Sequence, residues 1–216
     1  MSRRCQIVVL ISGSGSNLQA IIEAVRDGRI DADVRAVVSN RQAFGLERAA
    51  QAGLPAELLQ PARGEPRGDY DRRLLELTER YRPDLLVLAG FMRILSAGFV
   101  EHYAGRMLNI HPSLLPAYKG LDTHARVLAD GCTQHGATVH FVTAELDSGP
   151  ALIQGIVNVA PRDTVETLSA RVHRAEHIIY PKALEWFAAG RTRCTARGLV
   201  FDGEPLGEPK RMLIDA

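Results

Sequence analysis

Gln6-Ile7-Val8-Val9-Leu10-Ile11-Ser12-Gly13-Ser14-Gly15-Ser16-Asn17-Leu18 starts as a β-branched apolar run, breaks into glycines and serines, and resumes with a helical pattern. A short apolar run bounded by a Gly/Ser cluster reads as a strand buried on both faces, the kind found in parallel sheets. The helix is read from Leu18, Ile21, Ile22 and Val25, spaced i, i+3, i+4 and i+7. Ser16 or Asn17 is placed to cap its start and Gly28 to end it.

The same alternation continues outward. A strand is expected at Val34 to Ser39, a helix over Phe44 to Ala52 stopped by Gly53, and a third helix with Tyr70, Leu74, Leu77 and Tyr81 on one face. Pro83 closes that helix before a strand at Asp84 to Gly90. A short helix at Ala97 to Tyr103, a strand at Met107 to Ile110, a polar loop through Asp122 and a helix reaching Gly131 follow. Strands alternating with helices at this spacing imply right-handed βαβ units and an α/β, doubly wound, mainly parallel twisted sheet. Ligands of such sheets sit beyond the carboxyl ends of the strands.

Thr138 to Val142 and Ala151 to Val159, joined by the turn Glu145 to Gly149, read as an antiparallel C-terminal part. The helical pattern from Thr164 is expected to end or kink before Pro181, because proline removes a helix hydrogen bond and clashes with the preceding turn. One domain over residues 1–202 is expected, followed by a loosely held tail at 203–216.

Composition excludes several classes of function. Lys plus Arg (26) nearly cancel Asp plus Glu (25), so no overall positive field is available for nucleic acid or an anionic membrane. The early apolar run Ile7 to Ile11 is too short for a signal-peptide core, and no stretch approaches the roughly 20 apolar residues of a membrane span. A cytoplasmic location and small-molecule substrates are the expectation, with a monomer or homodimer left open. Cys5, Cys132 and Cys194 are far apart, without a Cys-x-x-Cys pair, and read as reduced thiols.

Two places carry chemistry. Gly13, Gly15, Ser16 and Asn17 lie between a strand and a helix, where main-chain amides and the helix dipole favour an anion. A tight turn with no ligand fits the same residues. A dinucleotide fingerprint fits worse: Leu18 replaces its third glycine, and Ser39-Asn40-Arg41 offers no carboxylate for a ribose, although Arg41 would suit a 2′-phosphate. At Asn109-Ile110-His111-Pro112, strand alternation puts Asn109 and His111 on one face at a carboxyl end. An amide and an imidazole there suit acyl transfer, one holding a developing oxyanion and the other moving protons. A structural histidine fits that position as well.

The string His111-Pro112-Ser113-Leu114-Leu115-Pro116, with Asn109 before it and Lys119-Gly120 after it, resembles the signature of the folate-dependent formyltransferases. Gly90-Phe91-Met92-Arg93-Ile94-Leu95, His140-Phe141-Val142, Glu145-Leu146-Asp147-Ser148-Gly149 and the opening Ile11 to Leu18 accompany it in that family's order and spacing. The resemblance runs from the first strand to about Trp186.

It implies a Rossmann-like formyltransferase fold and transfer of a formyl group from 10-formyltetrahydrofolate, as co-substrate, to the amine of 5′-phosphoribosylglycinamide in purine biosynthesis. It implies no tightly bound cofactor and no metal. Asn109, His111 and Asp147 match the family's catalytic trio; Asp147 alone would read as turn chemistry. Gly15, Ser16, Asn17, His173 and Glu176 match acceptor-binding positions, with His173 standing where some relatives carry glutamine. Arg67, Met92, Arg93, Ile94, Leu95, Asn109, Thr143, Ala144, Glu145, Leu146 and Asp147 match folate-binding positions. Thr138 and His140 match a supporting layer, a role that a satisfied core histidine shares for His140.

Glu176 also stands out by periodicity. It borders the apolar stripe Val165, Leu168, Val172, Ala175 and Ile179, where an unpaired carboxylate is costly. The alternatives are a nucleotide-sugar formyltransferase, a formyltetrahydrofolate hydrolase, which usually carries an extra N-terminal domain, and a non-catalytic phosphate-binding module. Methionyl-tRNA formyltransferase is disfavoured, since it needs a further C-terminal domain.

Overall fold

The computed structural model describes residues 3–214. β1 (Cys5–Ile11), α1 (Ser16–Arg26), β2 (Ala32–Ser39), α2 (Phe44–Gln51), β3 (Ala56–Leu58), α3 (Arg67–Glu79), β4 (Leu85–Leu88), α4 (Ala97–His102) and β5 (Met107–His111) build the parallel half. α5 (Thr123–Ala129), β6 (Gln134–Phe141), β7 (Ala151–Asn158) and α6 (Val165–Ala188) complete the main body. β8 (Thr192–Thr195), β9 (Gly198–Phe201), β10 (Glu204–Pro205) and β11 (Lys210–Leu213) close the chain.

The main sheet has eight strands in the order β11-β7-β6-β5-β4-β1-β2-β3, and β10-β9-β8 form a separate small sheet. β3 through β5 in that order pair in parallel, whereas β5 with β6 and β6 with β7 pair antiparallel. This is the expected α/β sheet. Both faces are covered, as the continuous apolar strands require: Ile7, Val9 and Ile11 of β1 enter one core with α1, α2 and α6, while Val8 and Leu10 enter the other with α3 and α4. From β1 the chain winds outward through β2 and β3, then returns to β4 on β1's other side. β1 and β4 therefore flank the point where the strand order reverses, and the crevice that such sheets offer to ligands lies there, at the carboxyl ends.

Three expectations are corrected. α1 is not capped by Ser16 or Asn17; Gly15 stands at the N-cap with φ 72° and no side-chain cap bond is made. α6 does not end before Pro181 but runs to Ala188. An internal proline costs about 3 kcal/mol, yet beyond it Leu184 and Trp186 are buried at 0% and 7% exposure. Two large side chains return about 1.5–3 kcal/mol each, enough to carry the helix through.

The third correction is the tail. β11 pairs in parallel with β7, Ile214 N–H donates to Ile156 O at 2.8 Å, and Ile214 packs in the larger core. Ladder bonds and apolar contacts hold this end in place; residues 215–216 of the expected tail lie outside the described residues. Among the described residues, no helix is long and apolar enough to cross a membrane.

Candidate active site

β5 and β6 bring the first group together. Antiparallel register sets Asn109 opposite His140 and His111 opposite Thr138, and the turn between β6 and β7 swings Asp147 over the strand end. Asp147 Oδ2 lies 3.4 Å from His111 Nδ1, with the two side chains 7% and 8% exposed. The same oxygen accepts from Gly120 N–H at 3.0 Å, and Oδ1 is 3.9 Å from His140 Nε2. Asp147 adopts φ 49°, a left-handed conformation that Asp tolerates, so turn residue and site residue are one and the same.

Hydrogen-bond accounting assigns the rings. His140 Nδ1 faces Phe141 O at 3.0 Å and must carry hydrogen. Burial pushes this imidazole's pKa down, so the ring is neutral and its Nε2 accepts from Asn109 Nδ2 at 3.1 Å. That choice orients the Asn109 amide and leaves its second N–H for another acceptor. His111 has an acceptor on each side, the Asp147 carboxylate at Nδ1 and Tyr118 O at 2.9 Å from Nε2. The Nε2 that faces a carbonyl oxygen must carry hydrogen, and a protonated ring would donate on both sides.

Thr138 acts on the loop after β5. Its hydroxyl donates to Ser113 O at 2.6 Å and accepts from Leu115 N–H at 3.0 Å, and Gln154 Nε2 donates to Leu115 O at 2.8 Å. Gln154, at 2% exposure, was not singled out in the sequence. A polar side chain inside Ala151 to Val159 was the available signal. Tyr118 and Gly120 serve through main-chain atoms and left no such signal. His124 and His135 were missed as well: their Nδ1 and Nε2 lie 2.9 Å apart, and burial pushes the His135 pKa down to about 4.

At the other end of the crevice, Glu176 and Asn17 are buried at 5% and 8% exposure and joined by Asn17 Nδ2 donating to Glu176 Oε2 at 2.7 Å. Burial pushes the Glu176 carboxyl up, opposed by the Asn17 hydrogen bond and then by His173 and His111. His173 itself is exposed on α6, and Ser16 opens α1 half-buried.

Gly15 has two reasons to be glycine, and neither needs a ligand. Its φ is 72°, and a Cβ there would lie 2.7 Å from Gly45 Cα. Gly13 has nothing within 4 Å of an added Cβ. Gly13→Ala should therefore melt like the unaltered protein, while Gly15→Ala should lose at least the 1–2 kcal/mol of left-handed strain, roughly 2–8 °C in Tm. Thermal melts check this, and equal melting of the two variants would sink it.

The predicted folate-side residues are only partly together. Met92 and Ile94 are exposed at 68% and 54%, and Leu146 at 52%, giving apolar surface beside the crevice mouth. Met92 N–H donates to Ser12 Oγ at 2.8 Å, tying the loop after β4 to the end of β1. Leu95 instead packs in the core with Phe91 and Phe99. The Arg93 guanidinium lies 4.1 Å over the Tyr70 ring, with Nε buried and unpartnered among the described residues. Thr143 Oγ1 donates to Glu145 O at 3.3 Å, and Thr143, Ala144 and Glu145 are exposed along the turn. Arg67 is exposed at the first turn of α3 and joins no ion pair among the described residues. Among those residues no group of three or more His, Cys, Asp or Glu side chains is arranged to hold a metal ion.

The profile of the Formyl transferase family matches residues 5–184. The chain is 53% identical to the phosphoribosylglycinamide formyltransferase of Escherichia coli, over 93% of this chain and 95% of that protein. It is 43% identical to the human trifunctional purine biosynthetic protein adenosine-3 over 92% of this chain, which spans 20% of that longer protein. The solved structure of phosphoribosylglycinamide formyltransferase from Coxiella burnetii superposes with a TM-score of 0.90 at 51% identity, covering 96% of this chain and 99% of that one. A strand-end asparagine, histidine and aspartate assembled as above, on a chain matched over this length, lead to one conclusion: the chain belongs to the formyl transferase family.

Proposed function

We propose that the protein transfers the formyl group of 10-formyltetrahydrofolate to the amine of 5′-phosphoribosylglycinamide, yielding N-formylglycinamide ribonucleotide and tetrahydrofolate. The observation that carries this reading is the cluster of buried His111 with half-buried Asn109 and Asp147 at the carboxyl end of β5, in a chain so similar to phosphoribosylglycinamide formyltransferases. The neutral amine attacks the formyl carbon, and the carbonyl oxygen gains charge as the tetrahedral centre forms. Asn109 meets that oxygen with the N–H that His140 leaves free. His111 keeps a positive charge nearby, balanced by Asp147. For Nε2 to donate to the oxyanion, its bond to Tyr118 O must open, exchanging one acceptor for a more negative one. A proton leaves the amine and one reaches N10 as the donor departs.

The acceptor's phosphate takes the main-chain amides at Gly15, Ser16 and Asn17, and its ribose hydroxyls take Glu176. The pterin lies against Met92 to Leu95, Leu95 contributing main-chain groups only since its side chain is in the core, and against Thr143 to Asp147, and Arg67 reaches the glutamate end. His173 borders the acceptor end. All are small-molecule contacts, and the expected location is the cytoplasm.

Mixing the protein with both substrates and following loss of the formyl donor tests the reading; no turnover would overturn it. Glu176→Gln should weaken the acceptor by about 1.5–3 kcal/mol, one hydrogen bond to a charged group, without changing folate affinity. An acceptor lacking ribose hydroxyls should then bind both proteins alike. Calorimetric titration reads both effects, and continued discrimination by the variant would remove Glu176 from this role.

A further inference from the structure

Asn17 stands at the junction of the two halves of the acceptor site. It is the second residue of α1, and the first helical hydrogen bond there is Gln19 N–H to Gly15 O at 2.9 Å. The main-chain N–H of Asn17 is therefore one that no carbonyl of its helix reaches. Its side chain turns the other way, donating to a carboxylate 159 residues distant in the chain. Among the described residues Asn17 Oδ1 is buried with no partner, an acceptor that none of them supplies with a donor.

We infer that Asn17 is a positioning residue that acts through Glu176, holding its carboxylate toward the ribose hydroxyls while its own main-chain N–H takes the phosphate. The inference rests on the function proposed above. It makes recognition of phosphate and ribose a single linked event, because a shift of the α1 start displaces the amide that aims Glu176. The amide orientation follows from charge: an ionised Glu176 requires the NH2 side, since the oxygen would face a like partial charge. Besides Asn17, the groups facing Glu176 are His173 on its own helix, His111 at the end of β5, and the Tyr180 hydroxyl, which donates to Leu88 O and Leu108 O at 3.0 Å.

The test is a cycle of Asn17→Ala, Glu176→Gln and the double variant, reading KM and kcat for each substrate, with thermal melts. Asn17→Ala should raise the acceptor KM roughly ten- to a hundredfold, with kcat and the folate KM nearly unchanged. In the Glu176→Gln background the same change should cost only a few-fold. Asn17→Asp, close in shape, carries the test if Asn17→Ala does not fold. In the unaltered protein acceptor affinity should fall as pH is lowered, because burial has raised the pH at which Glu176 takes a proton.

In Asn17→Asp two adjacent carboxyls share one proton, and the hydrogen bond from the new carboxyl to Glu176 survives only until rising pH removes that proton. The variant's acceptor affinity should fall with increasing pH, the opposite sign. Multiplicative losses in the cycle, or an Asn17→Asp profile parallel to that of the unaltered protein, would overturn the inference while leaving wild-type turnover intact. Failure of the unaltered protein to bind the acceptor would overturn the proposed function and this inference together.

Discussion

Replacing His111 with alanine is expected to lower the turnover number about 10²–10⁴-fold, the usual contribution of a positioned acid/base group, with little change in folate affinity. Asp147→Asn is expected to do comparable damage. The ground for linking them is geometric: Asp147 Oδ2 lies 3.4 Å from His111 Nδ1, both side chains are over nine-tenths buried, and Gly120 N–H holds the carboxylate from the other side. An amide at 147 can still accept from Gly120 but no longer balances an imidazolium. Adding Asp147→Asn to His111→Ala should then cost far less than the product of the single losses, since groups acting as one unit are not additive. The measurement is a double-mutant cycle on turnover, with thermal melts to show that each variant is folded. Fully multiplicative losses would mean that Asp147 does not work through His111.

The second large effect is expected at a residue with no side chain. A Cβ on Gly149 would lie 1.7 Å from Phe141 O, so in Gly149→Ala the turn between β6 and β7 must move off the strand. Asp147 is two residues away and moves with it. Misplacing a catalytic contact by about 1 Å costs on the order of 10²-fold, so turnover should fall by that factor in a protein that still melts cooperatively. Gly98→Ala, with nothing within 4 Å of the added carbon, is the matched control and should keep its rate. Wild-type turnover in Gly149→Ala would show that the turn does not position Asp147 as described.

Much of this architecture was legible residue by residue. The β-branched run at Ile7 to Ile11 announced a strand buried on both faces, and the structure alternates its side chains between two cores. Glu176 was visible as a carboxylate beside an apolar stripe, and it is buried and paired. Where periodicity failed, a longer-range term had outweighed a local one. Pro181 argued for a helix end, but burial of Leu184 and Trp186 beyond it is worth more than the lost hydrogen bond. The prolines and mixed charge after Gly203 argued for a loose end, but an open edge of β7 was there to be paired. β3, only three residues long, is too short for any period to show.

By itself the sequence determined the alternation of strands and helices, the placing of Asn109 and His111 on one face of a strand, and the formyltransferase signature around them. Those properties reside in side-chain identity at fixed spacing, which the chain states directly. Tertiary structure alone decided that Asn17 serves Glu176, that Leu95 belongs to the core, and that Tyr118 O and Gly120 N–H bracket the His111 and Asp147 pair. Every residue but proline carries the same main-chain donor and acceptor. Which of them points into a site depends on the path of the loop through space, and contacts between segments far apart in the chain set that path.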